Sequence, residues 1–383
     1  MKSFNFSIMQ NCHFGLGALA QLPDILKACG ESHVLLVSDH GLESIGLVKK
    51  VEDLVSSTGI KCDTFLDVIP NPTNDTVEDC VKVYKECGAT ALLALGGGSP
   101  MDVAKITGVV ARYGGKVIDY QGAGKVPGPI PTLIAIPTTA GTASEVTVNA
   151  VFTNLTNNFK GSVGSPFVVP KYAILDPELI MTAPPLVAAS CGVDAFVHAL
   201  ECYINTNTNL YSDTFAEKAM ELIGGNIRRF VANRADADAA SAMLLGSTFA
   251  GLAFSNARLG IVHAMSHPVS AYYNVAHGVA NAVLLPTALE YNALADKGRY
   301  AKVYRYVTGR DPGPDFTPMC FVEEIRKLNV ELGIPVGLEA CGVGVDKIPV
   351  MAADAMLNSG VLVNPRSVTI KDIEALYHKA MKK

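Results

Sequence analysis

Lysine and arginine never gather into a run along this 383-residue chain, and only 17% of its residues are charged. Net charge is −5 and the pI is near 5.9, so no basic stripe is available to follow a phosphate backbone. Nucleic acid is therefore not an expected partner. Uninterrupted apolar stretches are missing too. None reaches the roughly 18 residues of a membrane span, so no membrane partner is expected. The N-terminus, MKSFNFSIMQNCHF, lacks the apolar centre of a secretory signal, which makes a cytoplasmic location the expectation. Nine cysteines are present, an odd number, and no two stand in CxxC spacing. They read as small buried hydrophobes in a reducing compartment and not as a disulfide framework.

What the chain does have is apolar material for more than one core. At 383 residues and 49% hydrophobic, it is long enough for two domains. The first half alternates aliphatic runs with amphipathic stretches. VLLVSD (34–39), TFLDVI (64–69), ALLALG (91–96) and TLIAIP (132–137) read as strands, and TVEDCVKVYKECG reads as a helix. Such alternation predicts a mostly parallel sheet covered on both faces. After Pro184 and Pro185 the pattern turns alanine- and leucine-rich and helical. The expected division is residues 1–182, an α/β Rossmann-like dinucleotide-binding domain, and residues 183–383, an all-helical metal-binding domain.

Four of the eight histidines fall in two short stretches of the second half. GVDAFVHALE carries Asp194 and His198 four residues apart, which places both on one helix face. GIVHAMSHPVSAYYNVAHGVA adds His263, His267 and His277. Several imidazoles and a carboxylate in nearly uncharged surroundings are costly to bury without a partner ion. A nitrogen and oxygen donor set suits iron(II) or zinc. Spacing alone leaves open which of His263 and His267 is a ligand. Cys191 and Cys202 flank the Asp194–His198 pair and offer a less favoured thiolate alternative.

Nucleotide-binding signals lie in the first half. ALLALGGGSPMDVAK runs a buried strand into Gly96, Gly97 and Gly98, then a helix with Ser99 as expected N-cap and Pro100 at its first position. Glycines allow close backbone approach to a phosphate, and a helix N-terminus supplies N–H donors. PTTAGTASEVT follows another strand with Thr138, Thr139, Thr142 and Ser144 around Gly141. These hydroxyls can meet pyrophosphate or ribose, or merely cap a helix. GLGALA (15–20) fits the dinucleotide fingerprint, but the nearest expected strand, FNFSIM, stops well short of it, so it reads as a turn into a helix. Asp39 ends the first clear strand, where a carboxylate accepts from ribose hydroxyls and repels a 2′-phosphate, favouring NAD. Asn71, Pro72 and Thr73 of PNPT line an adenosine site or form a proline turn. FNFSIM alternates like an edge strand suited to pairing across a dimer.

GGGSPMDVAK, PTTAGTASEVT, GVDAFVHALE and AFSNARLGIVHAMSHPVSAYYNVAHGVANAVLLP together resemble the iron-dependent alcohol dehydrogenases. The resemblance spans essentially the whole chain, PNPT and the NPR at 364–366 included, and lies near members acting on short alcohols and propanediols. It implies a dehydroquinate-synthase-like two-domain architecture with the site between the domains. It also implies an NAD-linked enzyme interconverting small primary alcohols or diols and their aldehydes. Separately, a homodimer or higher homo-oligomer is the expected assembly. Position by position, it implies Asp194, His198, His263 and His277 as metal ligands, with iron(II) the family metal and zinc the alternative. His267 falls on the histidine beside the nicotinamide that assists proton movement. Asp39, Gly96, Gly97, Gly98, Ser99, Asp102, Thr138, Thr139, Thr142 and Lys160 fall on cofactor positions. Asn149, Val151, Phe254 and Gly360 fall on the substrate pocket. Cys191 stands where many members have threonine, and Gly360 where some diol-specific members have cysteine. Gly360 is expected to leave extra room there. Two other readings are a dehydroquinate-synthase-like lyase, with Arg258 as its main anion-holding candidate, and a zinc-loaded glycerol-type dehydrogenase.

Overall fold

The computed structural model describes residues 4, 6, 10–157 and 159–382. Most of FNFSIM lies outside them. The chain forms two compact units. Among the described residues, one holds Gln10 to Thr139 and Ala143 to Thr182. The other holds Ala183 to Lys382 together with Phe4, Phe6 and Ala140–Thr142. No sequence feature announced that three residues of the PTTAGT loop would pack with the helical unit.

The α/β unit carries nine strands among its described residues: β1 (Asn11–Phe14), β2 (His33–Val37), β3 (Lys61–Phe65), β4 (Ala91–Gly96), β5 (Gly122–Ala123), β6 (Leu133–Pro137), β7 (Asn149–Asn154), β8 (Phe159–Gly164) and β9 (Tyr172–Leu175). Six form a parallel sheet in the order β1-β9-β6-β4-β2-β3. Its central strands are buried on both faces, which is why they read as continuous aliphatic runs. Val34 and Leu36 join one core with Leu22, Val51 and Ile134. Leu35 and Val37, pointing the other way, join a second core with Val77, Ile106 and Ala135. The chain passes from β2 to β3 on one side, then returns beyond β2 to β4 on the other. Strand order thus reverses between β2 and β4, and the carboxyl ends there form the crevice where such sheets hold ligands.

Two expectations need correction, and one sheet was unforeseen. The strand expected at 64–69 begins earlier, at Lys61, because it is a half-exposed edge strand; Val68 instead packs into the core from the following loop. The strand β1 occupies NCHF, directly before Gly15, so GLGALA does follow a strand. A hairpin of β7 and β8, with short β5 alongside, forms a second sheet that the linear pattern did not reveal.

In the helical unit, nothing after β9 is a strand among the described residues. The helices Pro185–Ile204, Leu210–Ala232 and Ala237–Ala257 pack on one another, followed by Ile261–Tyr273 and His277–Asn292. Two of them, Pro185–Ile204 and Ala237–Ala257, are long and apolar enough by composition to cross a membrane. Isolated polar residues interrupt both, so neither is an unbroken apolar run. Most of the first is buried inside its own unit, including Asp194, His198 and Glu201.

Candidate active site

At the carboxyl edge of the parallel sheet, the helix after β4 starts at Gly98, with Gly97 as its N-cap and no side chain capping it. Ser99 is therefore the second helical residue and not the cap. The N-terminal amides of a 16-residue helix are left for another acceptor. Gly96 has φ +148°, and a Cβ there would lie 2.6 Å from Pro100 Cγ. A Cβ on Gly97 would lie 3.2 Å from Thr139 Oγ1. The glycines thus let the Thr139 hydroxyl close on the loop, a cradle that fits a phosphate. Thr138 N–H donates to Gly96 O at 3.0 Å, tying the two loops together.

GLGALA shows the opposite arrangement. Asp176 Oδ1 accepts from Gly17 N–H at 3.1 Å, and Oδ2 accepts from Leu19 N–H at 3.0 Å. The donors that a phosphate would need already hold a carboxylate of the same unit. The motif is a turn, though not for lack of a preceding strand.

The other candidates in this unit have defined partners. Asp39 Oδ1 caps the short helix His40–Ser44 by accepting from Leu42 N–H at 3.0 Å. Thr73 caps Asn74–Cys87, accepting from Thr76 N–H. Lys160 Nζ donates to Asn71 Oδ1 at 3.1 Å, which brings the PNPT turn to β8. Asp102 accepts from Ser144 Oγ at 2.8 Å and from Val151 N–H. Burial raises the Asp102 carboxyl, opposed by nearby Lys105. Lys105, absent from the sequence reading, is fully buried, and burial pushes its ammonium down to about 8. Its Nζ donates to Thr147 O at 2.9 Å and Asn149 O at 2.8 Å, fixing the strand entry that carries Asn149 and Val151. Asn71 and Ala143 both adopt positive φ, 53° and 52°. Such strain in a non-glycine residue persists only where the surroundings impose it.

In the helical unit, Asp194 and His198 project from one face of Pro185–Ile204. His263 comes from Ile261–Tyr273, and His277 opens His277–Asn292. Asp194 Oδ1 lies 3.9 Å from His198 Nε2, 3.7 Å from His263 Nε2 and 3.8 Å from His277 Nε2. Each residue offers one ligand atom, all within 4.8 Å of one another. These separations are too long for hydrogen bonds and suit donors arranged around an ion. Burial favours the neutral Asp194 carboxyl, but the three imidazoles hold it well below the usual carboxylate range. Burial pushes His198 down to about 4. An ionised carboxylate beside a neutral imidazole is the form that binds a divalent metal. The donor set therefore fits such an ion.

Second contacts orient the rings. His263 Nδ1 donates to Glu201 Oε2 at 2.6 Å, and Val262 N–H donates to Glu201 Oε1 at 2.6 Å. Glu201 thereby fixes the His263 tautomer with Nε2 as an acceptor. Burial opposes charge on His263, yet Asp194 and Glu201 outweigh it and raise the ring to about 9 without an ion; a metal held at Nε2 would take the place of that proton, leaving the Nδ1–H to Glu201. The His198 ring lies tilted against Phe254 with centroids 4.6 Å apart and stacks on His263 at 4.6 Å. Gly141 packs against Cys191, since a Cβ would lie 2.9 Å from Cys191 Cβ. Cys202 points elsewhere and bonds Ala199 O at 3.1 Å.

His267 stays outside the four-atom set, half-buried, its ring centroid 5.4 Å from that of His277. Asn358 Nδ2 lies 3.5 Å from His267 Nδ1. The expectation that Gly360 opens space is corrected. A Cβ there would meet Gly260 O at 2.8 Å and Leu259 O at 3.0 Å, so this glycine serves close backbone packing. Glu201 and Asn281 were missed, although both were within reach of helical spacing. Glu201 lies three residues after His198, and Asn281 four after His277.

Comparison with known proteins decides what the arrangement belongs to. Residues 10–177 match the iron-containing alcohol dehydrogenase model, and residues 188–381 match the C-terminal model of the Fe-containing alcohol dehydrogenase family. The chain belongs to the iron-containing alcohol dehydrogenase family. Lactaldehyde reductase of Escherichia coli (strain K12) is 38% identical over 371 residues, covering 96% of this chain and 97% of that protein. NAD-dependent methanol dehydrogenase of Bacillus methanolicus is 34% identical, covering 98% of this chain and all of that protein. The crystal structure of a 1,3-propanediol oxidoreductase superposes with a TM-score of 0.94 at 34% identity, covering 99% of this chain and 100% of that one. Like other iron-containing alcohol dehydrogenases, this chain is an oxidoreductase, with an α/β N-terminal part and a helical C-terminal part.

Proposed function

We propose that Asp194, His198, His263 and His277 hold a divalent ion, iron(II) by family and zinc as the alternative, for NAD-linked interconversion of small primary alcohols or diols and their aldehydes. The carrying observation is the convergence of three Nε2 atoms at 3.7–3.9 Å on one Asp194 oxygen. Names of the relatives, which include lactaldehyde, methanol and 1,3-propanediol enzymes, support the substrate class. When bound, the ion supplies Lewis-acid polarisation of the substrate oxygen, and the nicotinamide supplies the hydride acceptor.

The chain's own residues do the rest. Glu201 keeps the His263 lone pair on Nε2. Burial of the Asp194 and His198 side chains keeps water from competing. His267 moves the alcohol proton, and Asn358 at its Nδ1 steadies the ring. Gly96, Gly97, Gly98, Ser99, Thr138, Thr139 and Thr142 take the cofactor's phosphates and ribose. Asp39 accepts from the adenosine ribose, with Asn71, Pro72, Thr73 and Lys160 beside it. Asp102 and Ser144 brace the cofactor loops. Asn149, Val151, Phe254 and Gly360 border the substrate. Arg258, the anion-holding candidate of the lyase alternative, is exposed at the end of Ala237–Ala257, which favours the oxidoreductase. A cytoplasmic homo-oligomer completes the proposal.

The test is to strip the protein of metal and reload it anaerobically with iron(II) or zinc. NADH or NADPH formation is then followed with ethanol, butanol, 1,2-propanediol, 1,3-propanediol and glycerol. NADH formation with iron(II) and a short alcohol is expected. Product with neither metal on any alcohol sinks the proposal, and a preference for NADP⁺ sinks the role of Asp39.

A further inference from the structure

Asn281 is fully buried, on the first turns of His277–Asn292 and one helical turn from His277. Its Nδ2 donates to Asp194 Oδ1 at 2.5 Å and lies 3.1 Å from both His263 Nε2 and His277 Nε2. One amide nitrogen therefore addresses three of the four atoms proposed to bind the metal. An amide oxygen in that place would face the Asp194 oxygen, acceptor against acceptor, so the nitrogen belongs there. The other end of the amide adds no competing reason for this orientation. Asn281 Oδ1 is buried with no hydrogen-bond partner among the described residues. Leaving that acceptor unmet is unfavourable. The cluster, and not the amide's other surroundings, therefore sets which way Asn281 points.

We propose that Asn281 is a positioning residue of the metal site, an amide clamp that holds the Asp194 carboxylate at the meeting point of the imidazoles. The inference rests on the reading of the four residues as a metal site. Lone pairs of a carboxylate and three imidazoles converge here in a buried volume, where nothing but a positive charge or a donor offsets their repulsion. The amide hydrogens provide a neutral offset. An ion competes with them for the imidazole lone pairs, each ring nitrogen having only one. A carboxylate oxygen has lone pairs for both, so the bond to Asp194 is the one that persists. Asn281 thereby fixes which Asp194 oxygen faces the ion and in which direction.

The experiment uses the full chain, stripped by chelator and titrated with Co²⁺. Visible absorption reports coordination, chelator competition reports affinity, and thermal unfolding is followed with and without the ion. The parent chain takes up one Co²⁺, and His277→Ala takes up none. Asn281→Leu keeps the volume but removes the donor; it binds Co²⁺ about 10–100-fold more weakly, with a shifted ligand-field band. Asn281→Asp keeps the shape but sets a second carboxylate against Asp194. It melts below the parent without metal and gains more than the parent on adding Co²⁺, whereas the leucine variant gains less. Parent-like affinity and spectrum in both variants overturn the proposal, as does an equal loss in both, which marks a packing role. A parent chain that takes up no stoichiometric Co²⁺ overturns the metal reading itself.

Discussion

In the helical unit, donor atoms from side chains on three helices converge within 4.8 Å of one another, with Glu201 bonded to His263 and Asn281 to Asp194. At the carboxyl edge of the parallel sheet the donors are main-chain N–H groups, and the side chains matter mostly by being absent, as at Gly96 and Gly97. The first kind of site fails when one functional group is removed. The second fails when an atom is added. A further contrast lies inside the α/β unit, where two glycine turns follow parallel strands. One presents uncapped amides, and the other has spent them on Asp176. A glycine fingerprint is thus read correctly only once the partner of its amides is known.

The comparison is broken most directly at His277. His277→Ala is expected to lose stoichiometric metal and NADH formation together, while His267→Ala keeps its metal and turns over about 10²-fold more slowly. Metal analysis beside steady-state rates separates the two, and a metal-free His267→Ala protein contradicts the division of roles. Glu201→Gln comes next. Its oxygen can satisfy either Val262 N–H or His263 Nδ1–H but not both, so metal affinity falls about 10–100-fold by chelator competition. Unchanged affinity would show that His263 holds its tautomer without Glu201.

Gly96→Ala attacks the other site by adding one carbon. Positive φ and the contact with Pro100 together cost about 1–3 kcal/mol of stability. NAD⁺ binding weakens about tenfold, the worth of one hydrogen bond to a charged group, while metal content stays at the parent level. Calorimetric titration with NAD⁺ checks this. The smallest effect is expected from Asp176→Asn, which leaves one of the GLGALA amides facing another donor. The unfolding free energy from denaturant titration should fall by about 1–2 kcal/mol with NAD⁺ affinity unchanged. A change in that affinity would return GLGALA to the cofactor site.

Residues whose chemistry repeats at helical spacing were legible along the chain. Asp194 and His198 stand one turn apart in an apolar helix, where a charge is conspicuous. The same rule pairs His277 with Asn281 and reaches Glu201 from His198, but an amide or a further carboxylate draws no notice until its partner is visible. The central strands β2, β4 and β6 were legible because burial on both faces makes them uniformly aliphatic. The edge strands β1 and β3 were displaced or overlooked, since half-exposed strands carry mixed residues. The hairpin of β7 and β8 was hidden in the same way. Its alternation of buried and half-buried residues mixes threonine, asparagine and lysine with small apolar ones.

By itself, then, the sequence determined the two-part architecture, the metal donor types and the glycine loop after β4. Each of these follows from local spacing or from the burial a residue type requires. Tertiary structure alone decided which strand precedes GLGALA, that Asp176 fills its amides and that Gly360 abuts two backbone carbonyls. Those outcomes depend on groups that meet through space from up to 159 residues apart. Hydrogen bonding and close packing act on such distances in space, which sequence spacing does not encode.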